Sequence, residues 1–246
     1  MLGAAGCDGA GDDGGRPGGG GVGGTVTVFA AASLTETFGT IAKQFEADHP
    51  GTSVVLNFAG SSALATQINQ GAPADVFAAA SPATMKTVTD AGNGAGPAKT
   101  FARNQLVIAV PKGNPQGITG LADLARPGVK VALCAEQVPC GAAARTALAA
   151  AQVDIRPVTL EQDVRAALSK VKLGEVDAAL VYRTDVRAAA SDVDGVEFPK
   201  PTKSINEYPI VVLKDAPNPA GAEAFVAAVL SDQGQAVLAR AGFRGP

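Results

Sequence analysis

Two serines stand where an apparent strand runs directly into an apparent helix. Ser33 follows the stretch "VTVFAAA", and Ser61 follows "VVLNFAG". The first N–H groups of a helix have no partner within the helix and carry about half a positive charge, and a serine hydroxyl is a common cap there. Such helix starts suit anions, so the repeated arrangement indicates a site for a negatively charged ligand that does not depend on Lys or Arg.

Three further residues stand at comparable places in the sequence. Cys140 and Tyr182 come at the carboxyl ends of predicted strands or shortly after them, and Val164 lies in the first turn of a predicted helix. Open parallel sheets bind their ligands at the carboxyl ends of the strands, which would bring these positions together. A serine at a single helix start is more simply explained as a cap, so the hypothesis of a site depends on the whole set.

The sequence offers little support for nucleophilic catalysis. Its single histidine, His49, stands beside Pro50 at a helix end, where we expect it to be exposed. The stretch "GSS" lacks the final glycine of G-x-S-x-G, and "GAGPAK" lacks the spacing of a phosphate-binding loop. We therefore expect no enzyme. A secreted hydrolase or thiol oxidoreductase is the alternative, and it would require an activating base beside Ser33 or Cys140.

Two of the three cysteines form the short motif "CAEQVPC", Cys134 and Cys140. The spacing differs from the CxxC of redox enzymes and zinc ribbons, and one histidine cannot supply a second pair of metal ligands. In an exported protein a local disulfide is favoured. Two free buried thiols or a catalytic dithiol are the alternatives.

The first 24 residues differ in composition from the rest, because they hold twelve of the thirty glycines and almost no core-forming side chains. Such a segment cannot offset its ordering entropy by burial, so residues 1–24 are predicted to be a disordered leader. Within it, "LGAAGC" resembles the processing site of a bacterial lipoprotein, which would make Cys7 a lipidation site. A free cysteine in a disordered tail is the alternative.

Strand and helix patterns alternate from residue 25 onward, which is typical of parallel βαβ units. Two runs of such units, with a late strand and helices after the second, predict one lobe from 25–105 plus 207–246 and a second from 106–206. One predicted helix places Val164, Leu168 and Val171 on one face and a Glu161–Arg165 pair on the other. The net charge of −3 argues against nucleic acid, and no apolar run approaches the ~20 residues of a membrane span.

Five stretches, in this order, closely resemble the periplasmic molybdate-binding proteins of ABC importers: "VTVFAAASLT", "FAGSSALATQINQGAPADVF", "VPCG", "DVRAAL" and "ALVY". The resemblance runs from about residue 25 to the C-terminus. It implies an α/β, two-lobe periplasmic binding protein fold of type II. In that fold each lobe is a mostly parallel sheet flanked by helices, and two crossing strands form the hinge.

The resemblance also implies a set of ligand-binding residues that hold the oxyanion by hydrogen bonds without a salt bridge. Serine hydroxyls, main-chain N–H groups and one tyrosine hydroxyl would serve as the donors. These residues are Ser33, Ser61 (with Ser62 as the alternative), Cys140 and Val164 through their amides, and Tyr182. The family often has alanine where this chain has Cys140, a change that matters little to a main-chain contact.

The same resemblance implies the function and its setting. The chain would bind molybdate or tungstate, need no cofactor, and contain molybdenum only as the bound oxyanion. It would work as a monomer outside the cytoplasm and deliver its ligand to an ABC permease. The separate lipoprotein-like motif at Cys7 would anchor it at the outer face of the membrane. A carrier for sulfate or another tetrahedral oxyanion is the alternative. A ferric-iron carrier is disfavoured, because such sites usually bind the ion through a pair of tyrosines, and the whole sequence contains only two, Tyr182 and Tyr208.

Overall fold

A computed structural model describes residues 22–199 and 205–246. The strands are β1 (Gly24–Ala31), β2 (Thr52–Ala59), β3 (Val76–Ala78), β4 (Lys99–Pro111), β5 (Val131–Cys134), β6 (Thr159–Glu161), β7 (Ala178–Tyr182), β8 (Val193–Val196) and β9 (Ile205–Val212). The α-helices are α1 (Thr35–Asp48), α2 (Ser61–Asn69), α3 (Pro82–Asp90), α4 (Pro139–Ala150), α5 (Val164–Lys172), α6 (Arg183–Ala188), α7 (Pro219–Leu230) and α8 (Asp232–Ala241). Short 3₁₀ helices span Ala32–Leu34 and Leu121–Ala125.

The strands follow the order β2-β1-β3-β9-β4-β7-β5-β6, with β8 pairing to β4. The first lobe carries the parallel strands β2-β1-β3, and the second carries β6-β5-β7. Between them run β4 and β9, which pair antiparallel with each other and with the neighbouring strands. The predicted two-lobe α/β fold is confirmed, with three parallel strands in each lobe extended by antiparallel ones. The predicted residue limits of the lobes stay a prediction.

Helix α1 follows from the spacing of its apolar residues. Leu34, Phe38, Ile41 and Phe45 are all buried, and the helix ends at Asp48, just before Pro50. The prediction that His49 is exposed is wrong. Its ring packs 4.3 Å from that of Phe45, and its Nδ1 lies 2.9 Å from the Phe45 carbonyl oxygen, so the side chain is half-buried.

Helix α5 buries Val164, Leu168 and Val171 as predicted, but the expected Glu161–Arg165 pair is wrong. Glu161 lies in β6, because the helix begins only after Asp163, whose Oδ1 accepts a hydrogen bond from the Ala166 amide at 2.9 Å. Arg165 instead forms an ion pair with Glu36 of α1, in the other lobe.

The described chain begins at Val22, which packs against the core, and its carbonyl oxygen accepts a hydrogen bond from the Thr52 hydroxyl at 3.0 Å. Residues 22–24, which the sequence placed in the leader, therefore contact the fold. The rest of the predicted leader, including Cys7, lies outside the described residues. None of the helices in the described ranges is both long and apolar enough to span a membrane.

Candidate functional site

A small cavity between the two lobes brings the predicted site residues together. All five of them line it: Ser33, Ser61, Cys140, Val164 and Tyr182. The first two come from the first lobe and the other three from the second. Residues up to 149 positions apart in the sequence thus surround one small space.

Helix starts form most of the cavity wall. The 3₁₀ helix that leads into α1 contributes Ser33, and α2, α4 and α5 contribute Ser61, Cys140 and Val164. Within the described ranges, no side chain caps the start of the 3₁₀ helix, α2 or α4, so the first N–H groups there remain available to a ligand. The strands place these starts together, because β1, β2 and β5 all end at this edge.

The charge of the cavity comes from the backbone. None of the described residues that line it is Lys, Arg or His. Four helix starts at about half a positive charge each supply roughly two positive charges in total. Among the same residues the one carboxylate is that of Asp163, which uses Oδ1 to cap α5. Such an arrangement suits a small anion, to which it offers neutral donors.

Each of the three hydroxyls that line the cavity also has a hydrogen-bond partner within the protein. Ser61 Oγ accepts from the Ala80 amide at 3.0 Å, and Tyr182 Oη accepts from Asn206 Nδ2 at 2.8 Å. Ser33 Oγ lies 2.9 Å from Tyr208 Oη. Burial, and then the neighbouring Tyr208 and Asp185, raises the pKa of Tyr182 well above its usual range, so this hydroxyl keeps its proton.

The structure separates the two adjacent serines. Ser61 lines the cavity and is buried, whereas the hydroxyl of Ser62 donates to the Gln137 carbonyl oxygen outside it. Of the two alternatives that the sequence left open, only Ser61 has its side chain at the cavity.

A disulfide joins Cys134 at the end of β5 to Cys140 in the first turn of α4. It closes the loop that leads to Cys140 at the cavity wall. Gly141 follows at a point of close approach, since a Cβ there would overlap the Ala135 carbonyl oxygen. The start of α4 is therefore held against the strand end by a covalent bond and by backbone packing.

The lobes meet closely around the cavity. The α-carbon of Gly60, before α2, approaches the Gln162 carbonyl, before α5, so tightly that a Cβ would overlap its oxygen. Glu36 and Arg165 pair across the same cleft at 2.5 Å. These contacts indicate that the structure represents a closed form.

Several neighbours of the site have no local sequence signal that connects them to it. Asn206 and Tyr208, which contact the lining hydroxyls, lie on β9, whose distance in sequence hides the contact. Asp185 is buried beside them and accepts from the Tyr182 amide at 2.9 Å. Burial raises the pKa of Asp185 to about 7, against the lowering effect of that hydrogen bond. Alternating polar residues in "SINEYPI" are a signal that could have pointed to β9.

A metal-ion site finds no support in the described residues, which contain no cluster of three His, Cys, Asp or Glu side chains. Of the tyrosines, Tyr182 lines the cavity, and Tyr208 stands behind it at a ring distance of 5.9 Å. The donor set of the cavity consists of hydroxyls and amides, which suit an anion.

Comparison with known proteins agrees with this architecture. The family model of bacterial extracellular solute-binding proteins matches residues 26–244. The molybdate-binding protein ModA of Mycobacterium tuberculosis is 46% identical over 222 residues, which cover 90% of this chain and 85% of the relative.

Two solved structures share the fold at low identity. The periplasmic molybdate-binding protein of Azotobacter vinelandii is 23% identical with a TM-score of 0.76, over 90% of this chain and 99% of that one. The sulfate-binding protein SubI of M. tuberculosis is 21% identical with a TM-score of 0.78, over 90% and 86%. The chain therefore belongs to the family of bacterial extracellular solute-binding proteins.

Proposed function

We propose that this chain captures molybdate, and tungstate equally well, in the cavity between its lobes. The observation that carries the proposal is the convergence of four helix starts and three hydroxyls on one cavity whose described lining residues include no cationic side chain. The ligand-binding groups are the hydroxyls of Ser33, Ser61 and Tyr182 and the amides of Cys140 and Val164. The mycobacterial relative, itself a molybdate-binding protein, supports the choice of ligand.

The protonation state of the ligand is the first source of selectivity. Molybdate at neutral pH is a fully deprotonated dianion, so it accepts hydrogen bonds and donates none. Hydrogen phosphate carries a proton that would need an acceptor, and a buried unpaired donor costs about 1–3 kcal/mol. Asp163 supplies the one carboxylate among the described lining residues, and its Oδ1 already accepts from the Ala166 amide. We therefore expect phosphate to bind poorly.

Ligand size is the second source of selectivity, because sulfate, like molybdate, carries no proton at neutral pH and the first criterion cannot exclude it. The shorter bonds of sulfate would leave some of the surrounding N–H and O–H groups beyond good hydrogen-bond reach. Tungstate is nearly the same size as molybdate and meets the same donors. The alternative, a sulfate carrier, differs from our proposal in this respect alone.

Membership of the family of extracellular solute-binding proteins supports a wider role. We propose that the chain acts as a monomer and passes its ligand to an ABC permease without transforming it. Lipidation at Cys7, in a motif that resembles a lipoprotein processing site, would hold it at the outer face of the membrane. Mass spectrometry of the protein from a native membrane fraction would test the anchor, since an unmodified Cys7 thiol there would contradict it.

A thermal-shift series tests the ligand. Unfolding is followed with molybdate, tungstate, sulfate and phosphate at equal concentration. A ligand at 100 times its Kd stabilises the native state by ~2.7 kcal/mol, which is several degrees in Tm. We expect a large shift with molybdate and tungstate and little with the others. An equal shift with sulfate would favour the sulfate carrier, and no shift with any of them would overturn the proposal.

A further inference from the structure

Asn206 connects the two lobes from behind the cavity. It lies on β9 and is 8% exposed, and its Nδ2 donates to the Ala80 carbonyl oxygen and to Tyr182 Oη, both at 2.8 Å. A backbone carbonyl only accepts hydrogen bonds, so the side-chain group that meets it must be the NH₂ group. This contact fixes the orientation of the amide, and with it the direction of the bond to Tyr182.

The direction of that bond decides what the tyrosine hydroxyl can do. A hydroxyl has one proton and two acceptor lone pairs. Because Asn206 donates to Tyr182 Oη, the proton of this hydroxyl points away from Asn206, toward the cavity or toward the neighbouring Tyr208 hydroxyl. The same holds in the first lobe, where the Ala80 amide donates to Ser61 Oγ, so that the proton of this hydroxyl is not needed there.

We infer that Asn206 is a positioning residue, which fixes the Tyr182 hydroxyl as a hydrogen-bond donor toward the ligand. The inference rests on the proposed function, because it concerns the donor set that would surround the oxyanion. Asn206 itself is not among the residues that line the cavity. It acts through Tyr182.

A consequence for selectivity follows. A tyrosine hydroxyl without this constraint can rotate and offer a lone pair to the cavity, where it would accept the proton of hydrogen phosphate. Asn206 occupies one of the two acceptor positions of Tyr182 Oη and opposes this rotation. Loss of Asn206 should therefore weaken molybdate binding and reduce the ratio of molybdate affinity to phosphate affinity.

A double-mutant cycle tests the inference by calorimetric titration of molybdate into the wild type, N206L, Y182F and N206L/Y182F. Hydrogen bonds to charged groups are worth about 1.5–3 kcal/mol, so Y182F should raise Kd by roughly 10- to 100-fold. N206L should raise it about tenfold when Tyr182 is present, and less than about twofold in the Y182F background, where the hydroxyl is missing. If N206L raised Kd by the same factor in both backgrounds, the inference would be overturned, because Asn206 would then act independently of Tyr182.

A second variant, N206D, gives an independent test: it keeps the size of the side chain, although like N206L it removes the donor to the Ala80 carbonyl. In N206D the carboxylate must accept the Tyr182 proton, while its charge repels the anion in either background. N206D should therefore raise Kd for molybdate by a larger factor in the protein that keeps Tyr182 than in the Y182F background. An equal factor in both would contradict the inference. N218A is the stability control, because Asn218 caps α7 away from the cavity, so its loss should lower Tm and leave Kd unchanged.

Titration of both molybdate and phosphate into the wild type and these variants separates this inference from the proposed function. If wild type binds molybdate and the cycle is additive, only the role of Asn206 fails. If wild type binds neither molybdate nor tungstate, the proposed function fails first. A ratio of phosphate to molybdate affinity that rises in N206L, but not in N218A, is the result expected from an orienting role, and an unchanged ratio would count against it.

Discussion

Gly60 and Gln162 face each other across the cleft with no room for a side chain at position 60. The backbone of Gly60 has φ −58°, which any residue can adopt, so alanine would not be strained locally. A Cβ would nevertheless overlap the Gln162 carbonyl oxygen in the closed form. The glycine is therefore required by the approach of the lobes and not by its own backbone conformation.

We expect G60A to weaken molybdate binding while leaving the unliganded protein folded. Overpacking of this kind costs about 1–3 kcal/mol, which corresponds to roughly 5- to 150-fold in Kd. Calorimetric titration measures the loss. G39A is the matched control, because a Cβ at Gly39 in α1 meets no atom within 4 Å. Equal affinities for G60A and G39A would show that the close approach is not needed for binding.

The adjacent serines provide a paired test of the donor set. S61A removes a hydroxyl that lines the cavity, and we expect Kd for molybdate to rise roughly 10- to 100-fold, the value of a hydrogen bond to a charged group. S62A removes only the exposed bond to Gln137 and should change Kd less than about fivefold. If S62A proved the more harmful in the same titration, the assignment of Ser61 would be wrong.

The sequence predicted much of this site because helix starts leave a local signature. Strand, short polar residue and amphipathic helix occur within a few positions of Ser33 and Ser61, so composition and spacing marked these two helix starts as candidates. The family resemblance assigned the ligand-binding role to them and to the amides of Cys140 and Val164, which have no side-chain signal. The five residues do lie at one cavity, although their role as ligand-binding groups is still a prediction.

The contacts from behind could not be predicted in the same way. Tyr208 reaches Ser33 across 175 positions, and Asn206 reaches Ala80 across 126, through a pairing of β9 with β3 and β4 that no local pattern encodes. The Glu161–Arg165 pair failed for a related reason. Its spacing suits a helix, but the Asp163 cap starts α5 too late to include Glu161.

The disulfide should stabilise the fold and hold the Cys140 amide in place. Closing a loop between Cys134 and Cys140, six positions apart, is worth roughly 2 kcal/mol in a chain-entropy account. We expect C134A/C140A to lower Tm by several degrees. Molybdate affinity should fall about tenfold or less, because the amide itself remains. Thermal unfolding and titration check both effects, and an unchanged Tm would show that backbone packing at Gly141 suffices.

The Glu36–Arg165 pair should contribute little to affinity even though it joins the lobes. Its side chains are 50% and 45% exposed, and exposed pairs are typically worth about 0.2–1 kcal/mol. We expect E36Q to raise Kd for molybdate by no more than about fivefold at low salt. The difference should vanish in about 1 M salt, where the Debye length is about 3 Å. A larger, salt-independent loss would mean that Glu36 positions α1 as well as pairing with Arg165.

Asp185 should make the stability of the unliganded protein depend on pH in an unusual direction. Burial raises its folded pKa from 3.8 to about 7, with Glu36 and Asp163 adding to the increase and Arg165 opposing it. Between these values the folded state holds a proton that the unfolded state releases, so the contribution of Asp185 to the free energy of unfolding falls as pH rises from about 4 to about 7. Above about pH 7 it is constant.

The variant D185N tests this directly, because asparagine can still accept from the Tyr182 amide and does not ionise. Urea unfolding at pH 5 and pH 8 gives the free energy of unfolding of each protein. We expect D185N to gain stability relative to the wild type between pH 5 and pH 8, by at least the ~1.4 kcal/mol that corresponds to one pKa unit. A constant difference between the two proteins would show that Asp185 is ionised in the folded state across this range, and that the buried carboxylate is stabilised by its hydrogen bond and by Arg165.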